Sequence, residues 1–289
     1  MTSTSSSSTN TLTHGNILRR YRLTIAVTLT LLVFENILEV LIPYLMGRAI
    51  DGLITGDTSP LWGFAGVIFL LLATGIGRRI YDTRAYGRIY REKASETASR
   101  EIAKDAPTSR LTARINFVHE FTQFFELMLP MGLTASITLF GAIIMLAIIS
   151  PLLSILTIMT ALTVATVFFL CRGRIDRLNK GVNDEMERQV DVLETRQPDR
   201  IRRHLSALER WRIRLSDLEA ATYGASYFFA LALLCGAIYI LIAVEQKTVG
   251  EAFAALTYVL QFTDAVVMLP YTYQEFIRTS EISGRLDRD

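Results

Sequence analysis

Long hydrophobic runs without a charged side chain dominate the pattern of this chain. The longest, Leu127–Cys171, has 45 residues without Asp, Glu, Lys or Arg, and runs of 25 and 20 such residues cover 220–244 and 58–77. A helix needs about 20 apolar residues to cross a hydrocarbon core of about 30 Å. The longest run therefore has room for two membrane-spanning helices, and each shorter run has room for one.

These runs and two flanking hydrophobic segments predict six membrane-spanning helices. Pro151 divides the longest run, because proline lacks the N–H that a continuing helix would need. The first span contains Glu35 and Glu39, and the sixth contains Asp264. The predicted spans are about 21–49, 60–77, 127–149, 151–170, 223–244 and 252–273.

The distribution of positive charge predicts the orientation of the spans. Of the 30 Lys and Arg residues, 28 lie before the first span, after the sixth, or in the two long connections that follow spans two and four. Only Arg48, at the end of the first span, and Lys247, between spans five and six, lie on the other side. Positively charged residues are retained in cytoplasmic segments. Both termini and the two long connections are therefore predicted to be cytoplasmic, in an inner (plasma) membrane protein.

The long connections have the pattern of charged helices rather than of loops. After the fourth span, charges of alternating sign recur every four residues, a spacing that supports ion pairs on one face of a solvated helix; they are Arg172, Asp176, Lys180, Asp184 and Arg188. Pro198 is predicted to break this helix before a second charged helix returns to span five. The first connection repeats this plan, with a break at 105–109 and a shorter return helix from Leu111. Each connection is thus predicted to form a helical hairpin.

Composition and charge exclude several other classes of protein. The net charge is only +2 and no continuous basic patch occurs, so nucleic acid is not predicted as a partner. The two cysteines, Cys171 and Cys235, provide neither a disulfide framework nor a metal-binding spacing. His14, His119 and His204 are scattered along the chain and are predicted to be solvated surface residues rather than metal ligands.

The two ends of the chain are predicted to lie outside the membrane domain. Residues 1–16 are rich in Ser and Thr and lack a basic cluster ahead of an apolar core, so we expect a disordered tail rather than a signal peptide. The membrane domain is predicted to cover 17–286. Residues 287–289 form the C-terminal end, where we expect no ATPase domain.

Three segments, together with the predicted topology, resemble the transmembrane domain of ABC exporters. Span one ends in EVLIPYLMGRAID (39–51), with a proline, then a small residue and a closing Ile-Asp. SRLTARIN (109–116) is similar to the return from the first coupling helix, and EISGRL (281–286) to the exit from span six. The resemblance covers most of the chain from Ile17 onward. It implies an all-α, polytopic membrane protein with six transmembrane helices and two long cytoplasmic helical hairpins, in which two halves pair within the lipid bilayer as a homodimer or with another exporter half.

The sequence lacks the phosphate-binding loop of an ATPase. None of its 17 glycines is followed by lysine, so no Walker A motif is present. The resemblance therefore implies that this chain binds no cofactor, that ATP acts through a separate nucleotide-binding subunit, and that transport proceeds by alternating access. The candidate contacts with the ATPase subunit lie at the hairpin tips: Asp105, Pro107, Gln197, Pro198 and Asp199. The alternative is an ATPase-less scaffold or regulatory partner of another exporter half, which the tight corner at 105–109 favours.

Several polar residues fall inside or beside the predicted spans, where a charged group costs about 2.5–3.5 kcal/mol to insert. The candidates for a solute pathway are Glu35, Glu39, Glu126, Gln261 and Asp264. No Lys or Arg lies deep in a predicted span, so we expect these groups to face a water-filled cavity, to be protonated, or to bond to polar neighbours such as Asn36. One interpretation is an acidic path for cationic or amphipathic amine-bearing solutes. The other is that Glu39 belongs to the span-one motif and Asp264 bonds across a helix interface.

Overall fold

The described part of the protein is helical throughout. In the computed structural model, residues 21–266 are described, apart from two phenylalanine side chains at 117 and 121, and they contain no strand. The predicted tail (1–16), His14, the end of the predicted sixth span and the segments at 281–286 and 287–289 lie outside the described residues.

The helices of the described part follow one another with short connections. They are α1 (Arg22–Thr55), α2 (Ser59–Ala103), α3 (Thr108–Gln123), α4 (Leu129–Ile149), α5 (Pro151–Glu187), α6 (Gln189–Glu194), α7 (Pro198–Tyr239) and α8 (249–266). A π-helical segment, Phe124–Met128, joins α3 to α4, and another, Ile240–Val244, extends α7.

Five helical runs within 21–266 are long and apolar enough to cross a membrane. They are Arg22–Thr55, Ser59–Ala103, Thr108–Ile149, Pro151–Glu194 and Pro198–Val244. Each contains or overlaps one of the first five predicted spans. The sixth predicted span begins inside α8, which is helical as far as the described residues extend. The all-α fold is therefore confirmed, and the six-span count stays a prediction.

The chain divides into two compact units. Within the described residues, the first contains 21–142 together with 248–254, and the second contains 143–247 together with 255–266. The division falls inside α4 and again inside α8. Each unit is built on a pair of long antiparallel helices, α1 with α2 in the first and α5 with α7 in the second.

A tight turn at 56–58 joins α1 to α2 in the first unit. Gly56 has a φ of 85°, a left-handed conformation that glycine adopts without steric cost. The next residue, Asp57, donates its N–H to the carbonyl of Gly52 at 2.8 Å, and its carboxylate accepts the N–H of Ser59 at 2.8 Å. The turn therefore satisfies backbone groups at both helix ends and sets α2 antiparallel to α1.

In the second unit, the corner predicted from proline lies between α4 and α5. Ser150 caps α5 by accepting the N–H of Leu153 at 3.2 Å, and Pro151 occupies the first turn of the helix. At the far end of the pair, a Cβ on Gly181 would lie 2.8–2.9 Å from ring atoms of Trp211, so the indole lies flat against the glycine. This contact holds α5 against α7 well beyond their apolar segments.

The predicted helix breaks lie close to their expected positions, with small corrections. The helix from Pro151 already ends at Glu187, and residues 195–197 separate α6 from α7, so Pro198 begins a helix rather than interrupting one. The return helix predicted from Leu111 begins three residues earlier, because Pro107 supplies the extended residue ahead of α3.

The predicted ladder of charges on α5 forms only in part. Arg172 lies 3.7 Å from Asp176, and within the described residues no other neighbouring pair of the ladder comes within ion-pair distance. Arg188 instead lies 3.9 Å from Glu185. The helix is therefore held by its packing on α7 rather than by a continuous row of surface ion pairs, which contribute little individually.

Candidate functional site

An ion-pair network links α1 to α2 where the sequence predicted an unpaired acid. The Arg78 guanidinium donates through Nε to Glu35 and through Nη1 to Asp82 Oδ2, the latter at 3.0 Å. The side chains of Arg78 and Glu35 are only 22% and 20% exposed. The expectation that Glu35 lacks a cationic neighbour was therefore wrong.

The register of the helix pair explains why Glu35 meets Arg78. Glu35 precedes Thr55 by 20 residues and Arg78 follows Ser59 by 19. At 1.5 Å per residue, both lie about 30 Å from the turn, which is one hydrocarbon thickness. The pair therefore lies where the charge-free run 58–77 of α2 ends.

Glycine makes room for the Glu35 carboxylate on α2. A Cβ at Gly75 would lie 3.1 Å from Glu35 Oε1, tighter than an ordinary contact. The next residue along α1, the buried Asn36, donates through Nδ2 to the carbonyl of Leu32, one turn earlier, at 2.8 Å. Asn36 therefore bonds within its own helix rather than to a glutamate.

The other predicted pathway residues do not gather at a single place. Glu39 is exposed on α1, while Glu126 is half-buried in the π-helical segment, close enough to Asp82 for their charges to interact. Gln261 and Asp264 lie on α8 in the second unit, where Asp264 is exposed and Gln261 half-buried. The first unit thus brings Glu35 and Glu126 around Asp82, a residue that sequence reasoning missed.

Two helical arms, one formed by α2 with α3 and the other by α5 with α7, end in exposed corners with the same backbone pattern. Asp105 and Arg196 have φ values of 53° and 51°, and each is followed two residues later by proline. Asp105 donates its N–H to the carbonyl of Ile102 at 3.0 Å, and Arg196 donates its own to that of Leu193 at 3.1 Å. All five predicted contact residues at these corners are exposed. Arg196 was not predicted, because arginine gives no sequence signal for a left-handed residue.

An ion pair closes the corner of the first arm. The Glu101 carboxylate, whose side chain is only 6% exposed, lies 3.4 Å from Nε of Arg110 on the return helix. The N–H of Ala106 donates to the Glu101 carbonyl at 3.1 Å. Glu101 therefore ties the end of α2 to both the turn and α3.

Two histidines have defined surroundings. His204 is buried, and its Nδ1 lies 2.8 Å from Glu185 Oε1, so the prediction that it is a solvated surface residue was wrong. The charged residues directly before it in sequence, Arg202 and Arg203, indicated a solvated helix and gave no sign that α7 packs the His204 face against α5. His119 is exposed and makes an edge contact with Tyr90, with ring centroids 5.4 Å apart.

The Ile-Asp end of the span-one motif has a structural role. Asp51 accepts hydrogen bonds from the Gly250 N–H at 2.8 Å and from the Thr248 hydroxyl at 2.5 Å. Thr248 and Glu251 also cap one another, at 3.2 and 3.3 Å, in the reciprocal arrangement of a capping box. Asp51 thus places a negative charge at the N-terminus of α8, where the helix dipole favours it.

Glycines at positions 47 and 250 allow the end of α1 and the start of α8 to come into contact. A Cβ at Gly47 would lie 3.0 Å from the carbonyl carbon of Gly250 and 3.1 Å from Cβ of Ala254. The small residue of the motif is therefore explained by a backbone-to-backbone contact between α1 and the first turn of α8.

One comparison with known proteins gives a match. A family model described as ABC transporter transmembrane region matches residues 14–250, which include every helix from α1 to α7 and the start of α8. No curated protein matches the chain.

Proposed function

The chain belongs to the ABC transporter transmembrane region family, and we propose that it forms the solute pathway of an ABC-type transporter, working by alternating access with a separately encoded ATPase. ATP would act through that partner, because the 289 residues contain no Walker A motif. The chain itself contributes the membrane passage and the surfaces that receive the ATPase.

The proposed topology has six spans with both termini in the cytoplasm of an inner (plasma) membrane. The sidedness of Lys and Arg supports this orientation. It puts the turns at 56–58 and 150, together with the connection at 245–248, on the outside, and both arms in the cytoplasm. Gly77 to Ala103 of α2 would then extend about 39 Å from the membrane at 1.5 Å per residue.

The observation that carries the ATPase proposal is the likeness of the two exposed corners. Each lies at the far end of a long charged arm and has a left-handed residue two positions before a proline. We propose that Asp105 and Pro107 in one arm, and Gln197, Pro198 and Asp199 in the other, contact the ATPase. Each chain would then contact the ATPase at two places with similar backbone structure.

We further propose that two halves pair in the membrane, as a homodimer or with another exporter half. In the most apolar 18-residue stretch of α2, no residue is buried within the chain. In the corresponding stretches of Pro151–Glu194 and Pro198–Val244, only 22% of the residues are buried. A second half and the lipid bilayer would together cover these faces.

Crosslinking tests the ATPase proposal. Cys171 and Cys235 are first replaced by serine, and cysteine is then introduced at Asp105 or Asp199, with exposed Asp217 in mid-arm as the matched control position. We expect a thiol crosslinker in native membranes to join both corner variants, but not the Asp217 variant, to a polypeptide that mass spectrometry identifies as a Walker A ATPase. Equal crosslinking at all three positions would contradict a specific contact at the corners. No crosslinking at any position, together with no nucleotide-dependent activity, would support the scaffold or regulatory alternative.

A further inference from the structure

Three buried oxygen-bearing side chains lie together between α1 and α2. Thr28 is 0% exposed, Tyr86 2% and Asp82 7%. The Thr28 hydroxyl lies beside both the Asp82 carboxyl and the Tyr86 phenol. Along the helix pair, these three residues are farther from the turn at 56–58 than Glu35 and Arg78 are.

These oxygens make no well-formed hydrogen bond within the chain, although the Thr28 hydroxyl is near enough to interact with both of its neighbours. Within the described residues, Thr28 Oγ1, Asp82 Oδ1 and Tyr86 Oη make no hydrogen bond of acceptable geometry. Buried polar groups in folded proteins almost always have a partner, and one without a partner costs about 1–3 kcal/mol. Three such atoms side by side therefore point to a small ligand that is not part of the chain.

The charge around these oxygens favours a cation. Arg78 is shared between Glu35 and Asp82, and it bonds to Asp82 through Oδ2 only. Glu126 lies within electrostatic range of Asp82 as well. One guanidinium is thus shared by two carboxylates, and a third, Glu126, lies within range of Asp82 and of the exposed His119. Such an excess of carboxylates is costly in a poorly hydrated site unless a further positive charge balances it.

The donor atoms select the kind of cation. A carboxylate and two hydroxyls are hard oxygen ligands, whereas zinc and copper sites use His or Cys and calcium takes six to eight oxygens, commonly from several carboxylates. Three acceptor oxygens also match the three N–H donors of a primary ammonium group. The site therefore suits a singly charged cation.

We propose that Thr28, Asp82 and Tyr86 form a subsite for a monovalent cation, either an alkali ion or the ammonium head of a solute. Its role in transport rests on the proposed function, whereas the binding itself does not. The Tyr86 ring packs with Phe124 and Phe125 of the π-helical segment that carries Glu126. A cation bound there would therefore connect α1 and α2 to the π-helical segment Phe124–Met128. π-Helical segments are frequent at functional sites.

Thermal unfolding of the full chain in detergent tests the subsite. The melting temperature is measured at constant ionic strength in choline chloride, whose cation has no N–H donor, with increasing replacement by sodium, potassium or ethylammonium chloride. We expect a saturable rise in at least one series. A rise with sodium or potassium alone identifies an alkali-ion site, and a rise with ethylammonium alone identifies a site for an amine head.

Matched variants assign the effect to these residues. Asp82→Asn should abolish the rise, and Tyr86→Phe, which keeps the ring, and Thr28→Val should each weaken the apparent affinity roughly tenfold, as the loss of one ligand oxygen predicts. Glu120→Gln, which removes an exposed acid of α3, should respond like the unmodified chain.

Equal melting temperatures in all four salts would overturn the proposal, as would an undiminished rise in both Tyr86→Phe and Thr28→Val. These two variants decide the matter if Asp82→Asn does not fold. A cation-dependent rise in a chain that never supports ATP-driven transport would contradict the proposed function but leave the subsite standing. Transport without any such rise would contradict the subsite alone.

Discussion

The Asp51 carboxylate accepts the backbone N–H of Gly250 at 2.8 Å, across 199 residues of sequence. Gly250 is buried, so water cannot readily take the place of the carboxylate as the acceptor of its N–H. Asp51→Ala should therefore lower the free energy of unfolding by about 1–3 kcal/mol, because it leaves a buried N–H without an acceptor. Thermal unfolding in detergent measures the loss, with Asp217→Ala at an exposed position as the control. A loss no larger than that of the control would show that the bond contributes nothing.

The close contact at Gly250 predicts that adding a single methyl group there destabilises the protein more than removing the Asp51 carboxylate. A Cβ there would overlap the Gly47 carbonyl oxygen and lie 2.7 Å from Cγ of Asp51. Since backbone atoms cannot rotate away, Gly250→Ala should destabilise the protein more than Asp51→Ala and reduce the monodisperse fraction in size-exclusion chromatography. Gly236→Ala is the control, because nothing lies within 4 Å of its Cβ position. Similar behaviour of the two alanine variants would contradict the contact.

The Arg78 network predicts a rescue by double substitution. Arg78→Gln leaves Glu35 and Asp82 without their shared partner, so we expect a loss of about 1–3 kcal/mol. Adding Glu35→Gln removes one uncompensated charge and should restore part of that loss. The melting temperatures of the single and double variants measure the coupling, and Arg79→Gln at the exposed neighbouring position serves as the control. Strictly additive effects would mean that the two residues act independently.

Packing of Trp211 on Gly181 predicts a local effect on the second arm. Trp211→Ala should destabilise the α5–α7 pair by about 1–3 kcal/mol, less than for a fully buried tryptophan, because the indole is half-buried. Hydrogen exchange should then accelerate around 175–215 while the α1–α2 pair is unchanged. Ile213→Ala, whose side chain is 52% exposed, should leave exchange as it was. Equal acceleration throughout the chain would show that the contact is not local.

The proposed orientation predicts which turns a reagent can reach from outside the cell. In a chain with Cys171 and Cys235 replaced by serine, a membrane-impermeant thiol reagent should label Asp57→Cys in intact cells. Asp199→Cys should be labelled only after permeabilisation, because both corners are proposed to be cytoplasmic. Both positions are exposed, so burial does not confound the comparison. The reverse labelling pattern would invert the topology.

Hydrophobic patterning and proline were enough to predict the helices, because both act locally. The corner at Ser150 and the five helical runs long enough to cross a membrane follow from composition over stretches of about 20 residues. The resemblance to ABC transporter transmembrane domains is confirmed by the family match. Contacts between helices were not predictable in the same way. Pairing of Glu35 with Arg78 depends on the register of two helices across a turn, and burial of His204 depends on which face of α7 meets α5.

The left-handed residues at the two corners have a consequence for the balance between stability and interaction. An L-residue in this conformation costs about 1–2 kcal/mol that glycine avoids, yet the chain has Asp105 in one corner and Arg196 in the other. Each corner is thus less stable than the same turn would be with glycine at the left-handed position. Substituting glycine would make each turn easier to form while removing a charged side chain from the exposed tip, so a chain optimised for rigidity alone would differ from this one at these two positions.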